Sequence, residues 1–434
     1  MVLLKNKIIS LLSNKGFQRY AANSSWLMLE RMVRLCTALI IGVWLARYLG
    51  PERFGLLSYA QSFVGIFACI ASLGLDGILI RELVKDETKR DELIGTAFGL
   101  KVIASIIVIG MIFLISSSVN GSDENILILI IACTSFFPAF EVADCYFQSK
   151  SLVKYTVFSR FISVFIISIL KIIFILNEAS LESFAILVVF ESFIFSIGLS
   201  YYYFKDRIYA LGGEAKRKIF LFSKKTAINL LNDSWPLILA GAASAINMRA
   251  DQIILGNLLS KDVLGNYSAA VKIAEVWLMI PTVLGISIYP ALILAKENSE
   301  EYYKKRVIQI VKIMSLFALP VAILISISSN YIIKILYGDE FTTAGKYLAL
   351  YIWTGVPYLI FFVTNQVMLI ENITKLSFYV ALFSVCLNLI LNFIFIPRYG
   401  GVGAIMTTFF ASYLSVLLSI YLINKKTKFI TLRI

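Results

Sequence analysis

The chain alternates between long apolar stretches and short polar breaks. Each stretch holds about twenty or more residues, the length that an α-helix needs to cross the ~30 Å hydrocarbon core of a bilayer. Only helices and closed barrels satisfy their own backbone hydrogen bonds there, and stretches of this length are helices. The pattern predicts twelve spans, at residues 26–49, 54–80, 93–116, 125–147, 155–176, 181–204, 235–259, 263–295, 307–329, 345–370, 376–396 and 402–423.

Lysine and arginine gather on alternate breaks between these spans. Cytoplasmic loops of membrane proteins carry an excess of both residues, so the basic set of breaks marks the cytoplasmic side. Both termini belong to that set, which agrees with an even number of spans. The basic breaks are the N-terminal segment, residues 81–90, 150–154, 205–225 and 296–306, Lys375 and the tail from Lys425.

Composition excludes a soluble class. The chain is 59% hydrophobic with a mean hydropathy of +0.83, more apolar surface than 434 residues could bury in a soluble core. The net charge of +13 is accounted for by its clustering on one side of a membrane, so no nucleic-acid partner is expected. The basic, partly apolar N-terminal segment predicts an interfacial amphipathic helix rather than a cleaved signal peptide.

The inventory of chemical groups narrows the function further. Histidine is absent from the sequence, and the five cysteines lie singly in apolar stretches. Neither a metal site nor a cofactor is therefore expected, and any proton or ion coupling must use carboxylates.

A long basic break divides the chain into two sets of six spans. The prediction is an N-terminal lobe at residues 1–204, a cytoplasmic linker at 205–234 and a C-terminal lobe with its tail at 235–434. The halves echo each other, since Ser25-Trp26 matches Ser234-Trp235 and the run 49–55 (LGPERFG) matches 259–265 (LSKDVLG). Six is even, so the repeats are parallel, an arrangement in which two bundles rock about a central cavity.

Several short sequence runs resemble motifs of a known family. They are 48–58 (YLGPERFGLLS), 73–76 (LGLD) with 81–83 (REL), 337–341 (YGDEF), 388–392 (NLILN) and 396–404 (IPRYGGVGA). Together they resemble the Wzx-like polysaccharide flippase family, which moves O-antigen and capsule repeat units and belongs to the multidrug/oligosaccharidyl-lipid/polysaccharide exporter superfamily. One departure is the run 147–149 (FQS), where the family pattern has Gln followed by Gly.

The resemblance implies an all-α polytopic fold, with twelve transmembrane helices in two parallel six-helix lobes around a central cavity. It also implies a substrate, a short glycan on a polyprenyl diphosphate, that is flipped across the bacterial inner membrane for lipopolysaccharide or capsule biosynthesis. The expected partners are that lipid-linked glycan, membrane lipids and the polysaccharide polymerase machinery.

Charged residues inside the spans are the candidate site. Each costs about 2.5 to 3.5 kcal/mol at a helix centre on insertion scales, and such groups usually face a wet interior. A hydrated cavity lined by Arg and Lys could hold a diphosphate through charge-assisted hydrogen bonds. The predicted substrate-binding residues are Arg31, Arg34, Arg249 and Lys272, and the candidate ion-coupling residues are Asp76, Asp251 and Glu275.

A structural alternative stands beside each of these assignments. Glu30 with Arg34, and Lys272 with Glu275, have the spacing of ion pairs that fix helix packing. Lys312 is interpreted as an interfacial residue, and Asn388 and Asn392 as hydrogen-bonding contacts between helices.

Three function classes remain open. A lipid-linked oligosaccharide flippase leads. A secondary exporter of small molecules or drugs, driven by an ion gradient, could share the same plan, although a basic cavity opposes cationic cargo. A membrane enzyme is not expected, because the outer breaks are short and no DxD, Walker or nucleophile motif is present in the sequence.

Overall fold

A computed structural model describes residues 15–119, 121–210, 221–278 and 280–427, so the predicted N-terminal amphipathic helix, part of the linker and the end of the tail lie outside the described residues. Within those ranges the chain is helical and contains no strand. The helices are α1 (Lys15–Ser72), α2 (Asp76–Lys85), α3 (Arg90–Val119), α4 (Ser122–Ala132), α5 (Val142–Ser149), α6 (Lys154–Leu176), α7 (Leu181–Ala210), α8 (Lys224–Leu258), α9 (Lys261–Leu278), α10 (Ile280–Asn298), α11 (Glu300–Tyr337), α12 (Ala344–Tyr351), α13 (Gly355–Ile370) and α14 (Thr374–Thr427). Short 3₁₀ turns occupy Glu87–Lys89, Cys133–Glu141 and Ile352–Thr354.

Two of these helices are broken internally by a glycine. Gly50 in α1 has φ +69° and Gly400 in α14 has φ +59°, conformations that side chains disfavour and glycine adopts freely. Pro51 follows Gly50 directly and begins the next helical segment, where its missing N–H costs nothing. Each long helix is therefore two spans joined at a tight turn.

Most of the described helices are long and apolar enough to cross a membrane. Eight continuous stretches are both long and apolar enough to cross a membrane, and the first and last of them, Met28–Lys85 and Lys375–Thr427, contain the breaks at Gly50 and Gly400. Helices α8 and α9 are less apolar, and α8 carries charged and amide side chains along much of its length. The all-α polytopic prediction is confirmed.

The helices pack as two compact units. The first contains the described parts of Met1–Gly42 and Val64–Ala242, and the second contains Val43–Phe63 with Ala243–Ile434. Helices α1 and α8, which open the two predicted lobes, each contribute to both units. The predicted lobe boundaries at 204 and 235 stay a prediction.

The core of the first unit lies where α2, α3, α5 and α7 meet. Leu79, Ile94, Phe147 and Leu199 are buried at its centre. Pro138 lies in the 3₁₀ segment between α4 and α5. Proline has no backbone N–H and cannot make the α-helical hydrogen bond, and the 3₁₀ segment continues the span at this point.

Glycines bring backbones together in the second unit. A Cβ at Gly55 would overlap the carbonyl oxygen of Lys261, and a Cβ at Gly265 would overlap the carbonyl oxygen of Pro51. Each glycine thus packs against the carbonyl four residues before the other glycine, so the contact is reciprocal. The two partners are the runs that the sequence identified as an internal echo.

Candidate functional site

The predicted cations at the start of α1 differ in their contacts. Arg34 Nε lies 3.0 Å from Glu30 Oε1, one turn earlier, and the Arg34 side chain is about half exposed. The structure therefore contains the packing pair that the spacing allowed. Arg31 is exposed and has no hydrogen-bond or ion-pair partner among the described residues.

A wider charge network surrounds Arg34 in the first unit. The guanidinium carbon of Arg160 lies 3.3 Å from the centroid of the Phe195 ring, and the charges of Glu30, Arg34, Glu141 and Glu191 act on it. Lys171 Nζ lies 3.7 Å from a Glu191 oxygen, which joins α6 to α7. Carboxylates thus lie close to Arg34 and Lys171 in this unit, whereas Arg31 has none.

Asp76 is the candidate ion-coupling residue of the first unit. Lys101 Nζ donates to Asp76 Oδ1 at 2.6 Å and to the Pro138 carbonyl at 3.2 Å. The Lys101 side chain is fully buried whereas that of Asp76 is 48% exposed. Asp76 therefore compensates a buried cation, and its coupling role stays a prediction.

Asp251 is the buried carboxylate of the second unit. It accepts a hydrogen bond from the Tyr267 hydroxyl and a second from the Gln252 amide N–H at 2.8 Å. Ser62 donates to the Gln252 side-chain oxygen at 2.5 Å, which ties the segment 43–63 to α8. Neutral donors therefore hold Asp251 in place.

Arg249 lies on the same helix, two residues before Asp251. Two residues correspond to about 200° around a helix, so the two side chains leave α8 on opposite sides. Arg249 is half-buried and has no hydrogen-bond or ion-pair partner in the part of the chain that the structure describes. Its charge and that of half-buried Glu275 both act on Asp251, which brings these three predicted residues into one region.

Lys272 lies on α9 and is exposed. Its Nζ is 4.4 Å from the centroid of the Phe54 ring, a cation–π distance. Phe54 itself is buried and packs edge-on against Phe341.

The sequence missed the aromatic partners of these charges. Phe195, Tyr267 and Phe54 carry no charge, and the residues that they contact lie on other helices, so local spacing gives no signal for them. The predicted substrate-binding residues fall in both units, Arg31 and Arg34 in the first and Arg249 and Lys272 in the second. Their roles stay predictions.

Comparison with known proteins gives concordant matches. Residues 20–294 match the family model described as polysaccharide biosynthesis protein, and residues 236–394 match the MatE family model. A putative O-antigen transporter from Shigella flexneri is 25% identical over 332 residues, which cover 74% of this chain and 77% of that protein.

Two solved structures share the fold at low identity. The lipid II flippase MurJ in an inward closed conformation superposes with a TM-score of 0.71 at 15% identity, covering 93% of this chain and 87% of its own. An inward-facing multidrug resistance MATE transporter superposes with a TM-score of 0.70 at 15% identity, covering 93% and 99%. The likeness confirms the predicted twelve-helix, two-lobe fold class.

The matches also confirm the resemblance drawn from the sequence motifs. The first family model covers more than half of the residues, in one continuous range from the first span into the eighth. The chain therefore belongs to the polysaccharide biosynthesis protein family.

Proposed function

We propose that this protein flips polyprenyl-diphosphate-linked oligosaccharide repeat units from the cytoplasmic to the outer leaflet of the bacterial inner membrane by alternating access. It is a multi-pass transporter rather than an enzyme, as its family and relatives are. Both termini are placed in the cytoplasm, and the polysaccharide polymerase machinery is the proposed recipient of the flipped glycan.

The observation that carries this proposal is that half-buried Arg249 has no ion-pair partner among the described residues. A charge within a span is costly unless a partner or water compensates it. Arg249 is half-buried and lacks an ion-pair partner among the described residues, while its neighbour Asp251 is already held by Tyr267 and Gln252. A guanidinium in this state is ready to form two parallel hydrogen bonds with a phosphate. Arg31, Arg34 and Lys272 are the further proposed contacts to the diphosphate and glycan.

Two features support alternating access. Helices α1 and α8 each pass from one packing unit to the other, α8 between Ala242 and Ala243 within a run of small residues. The reciprocal contact of Gly55 with Gly265 joins the echoed segments of the two halves within the second unit, so that unit is held as one body that could rock. Rocking of parallel repeats about a midplane site is the corresponding motion.

A secondary exporter of small molecules, driven by an ion gradient, is the second candidate. The TM-scores of 0.71 to the flippase and 0.70 to the multidrug transporter show that fold alone does not separate the two. Arg249, which has no ion-pair partner among the described residues, opposes cationic cargo and favours an anionic one. If an ion gradient drives transport, the coupling carboxylate is proposed among Asp76, Asp251 and Glu275.

The test is substitution of Arg249. We expect Arg249→Ala to reduce flipping of a polyprenyl diphosphate glycan in proteoliposomes by about tenfold, the loss of one charge-assisted contact. The melting temperature should be unchanged, because no protein partner is left unpaired. Arg249→Lys should keep part of the activity, since lysine retains the charge without the planar fork.

Arg398→Ala is the matched control. Arg398 is an exposed arginine of the same unit beyond the predicted span, and its removal should alter neither flipping nor stability. A stable Arg249→Ala protein with full flipping activity would remove Arg249 from the site. Loss of stability in proportion to loss of activity would assign it to packing instead.

A further inference from the structure

The sequence motif at 337–341 (YGDEF) forms the turn between α11 and α12 in the second unit. Gly338 ends α11 with φ +86°, a conformation that glycine adopts freely, and its N–H donates to the Lys334 carbonyl at 3.1 Å. Tyr337 and Phe341, on either side of this glycine, are buried, whereas the two acidic residues of the motif are exposed. The turn therefore directs two aromatic rings into the second unit.

Asn266 fixes this turn to α9, the helix that carries Lys272. The Asn266 side-chain oxygen accepts hydrogen bonds from the backbone N–H groups of Thr343 at 3.2 Å and Ala344 at 3.1 Å, which satisfies the start of α12. The Asn266 side-chain nitrogen donates to the Asp262 carbonyl at 3.0 Å, so both ends of this buried amide are bonded. Directed hydrogen bonds therefore set the position of the turn relative to α9.

Phe54 connects the turn with Lys272. The Phe54 ring is buried and lies 6.0 Å from the Phe341 ring, edge to face, and 6.5 Å from the Tyr337 ring. The Lys272 Nζ lies over the Phe54 ring, 4.4 Å from its centroid. Packed rings fix one another's orientation, and the negative face of an aromatic ring attracts an ammonium. The support of Lys272 is thus a ring that is itself held by the turn.

An aromatic support affects an ammonium differently from a carboxylate. The Asp76 carboxylate compensates the charge of Lys101 in the first unit, whereas a ring attracts an ammonium without neutralising it. Contact with the ring also restricts a long, flexible side chain, so less conformational freedom is lost when an anion binds. Phe54 therefore fixes the position of the Lys272 ammonium and does not cancel its charge.

We propose that Phe54, supported by Tyr337 and Phe341, is a positioning residue that holds the Lys272 ammonium where it contacts the anionic part of the cargo. The inference rests on the proposed function and adds a residue that acts through Lys272 rather than on the cargo itself. It also gives the motif at 337–341 a role, because its glycine makes the turn and its aromatic residues support Phe54.

The test changes the electron density of the Phe54 ring and keeps its shape. Replacement of Phe54 by trifluorophenylalanine weakens the attraction of the ring face for an ammonium. It should raise the apparent KM for flipping of a polyprenyl diphosphate glycan about threefold, with the maximal rate and the melting temperature unchanged. Phe54→Leu, which removes the ring, should raise the apparent KM at least as much. The fluorinated protein decides the question if Phe54→Leu fails to fold.

Two further variants separate positioning from packing. In a Lys272→Gln protein, fluorination of Phe54 should have no further effect on the apparent KM, as a double-mutant cycle measures. Tyr59→Leu is the matched control, because the buried Tyr59 ring lies 4.0 Å from the Nζ of Lys261, which also donates to the Gly256 carbonyl at 2.6 Å. Tyr59→Leu should lower the melting temperature without raising the apparent KM.

Two results would overturn the positioning role. One is an equal apparent KM for the wild-type and fluorinated proteins. The other is an equal rise in apparent KM on fluorination in the wild-type and Lys272→Gln proteins, which would make Phe54 a packing residue.

A measurement without transport separates this inference from the proposed function. On protein whose lysines carry isotope-labelled methyl groups, the ring current of Phe54 should shift the Lys272 methyl resonance upfield, and Phe54→Leu should abolish the shift. The upfield shift in a wild-type protein that does not flip the glycan would reject the proposed function, while the contact itself stood. Flipping without the shift would keep the function and reject the positioning role.

Discussion

The intramembrane cations of the two packing units differ in their ion-pair partners. In the first unit Lys101 is fully buried and bonded to Asp76, Arg34 is bonded to Glu30, and Lys171 faces Glu191. In the second unit Arg249 is half-buried without such a partner among the described residues. Ion pairs therefore stabilise helix packing in the first unit, where Arg31 is the exception among the predicted cations, and the proposed role of Arg249 in the second unit rests on its lack of such a pair.

The units also differ in how closely their helices approach. In the second unit a Cβ at Gly55 or Gly265 would overlap a backbone carbonyl of the neighbouring helix. In the first, a Cβ at Gly198 would meet the Ser159 side chain at 2.9 Å and one at Gly241 would meet Cys69 at 3.0 Å, so these glycines contact side chains first. In a bilayer the hydrophobic effect does not drive helices together, so small residues stabilise helix pairs by allowing close van der Waals packing.

The largest effect is expected from removing Asp76. Asp76→Ala leaves the buried Lys101 ammonium with the Pro138 carbonyl as its hydrogen-bond acceptor, and because Asp76 is itself 48% exposed the cost should lie at the lower end of the about 3 to 5 kcal/mol for a buried pair. Expression and the melting temperature in detergent should both fall. The double variant Asp76→Ala/Lys101→Met should recover most of the loss, which a double-mutant cycle measures as coupling.

Additive losses in that cycle would break the comparison, since Asp76 and Lys101 would then not act as a pair. A stable Asp76→Asn protein whose transport no longer responds to an ion gradient would instead reveal a coupling role for the carboxylate.

A smaller effect is expected from the glycine contact of the second unit. Gly55→Ala forces α1 and α9 apart at the Lys261 carbonyl, and overpacking of this kind costs about 1 to 3 kcal/mol. Gly65→Ala is the matched control on the same helix, because nothing lies within 4 Å of its added Cβ. That control should be neutral or stabilising by up to about 1 kcal/mol, since alanine favours the helix. Equal melting temperatures for the two variants would show that the contact does not hold the unit together.

Hydrophobic periodicity and charge bias were sufficient to predict the fold class and the number of spans. A bilayer permits little besides long apolar helices, so the lengths of the spans and the breaks between them can be predicted from hydropathy. The breaks at Gly50 and Gly400 confirm this, because the predicted spans leave residues 50–53 and 397–401 between them and each interval contains the glycine of positive φ.

The candidate site was predictable only in part. The pair of Glu30 and Arg34 follows from helical spacing, and the structure contains it. The bond of Asp76 to Lys101 joins residues 25 positions apart, and that of Asp251 to Tyr267 joins residues on different helices. Tertiary packing decides which charges are compensated, so the sequence identified the charged residues but not the distinction between Lys101 and Arg249.

The smallest effect on stability is expected at the Glu30–Arg34 pair. Arg34 is about half exposed, and exposed pairs at this spacing contribute about 0.3 to 0.5 kcal/mol. Glutamine can still donate to Glu30, and Arg160 also acts on that carboxylate, so Arg34→Gln should leave the melting temperature nearly unchanged. If Arg34 also contacts the diphosphate, flipping should fall severalfold in the same protein.

Arg31→Gln is the matched substitution one turn away, at a cation without a partner in the described chain. It should leave stability unchanged, and its effect on flipping reports contact with cargo alone. Loss of flipping in both variants, with stability kept, would show that cations of the first unit also contact the cargo. The relevant difference would then be between buried, paired Lys101 and the exposed cations of both units. Full flipping by both variants would confine cargo binding to the second unit, because neither predicted cation of the first unit would then contact the cargo.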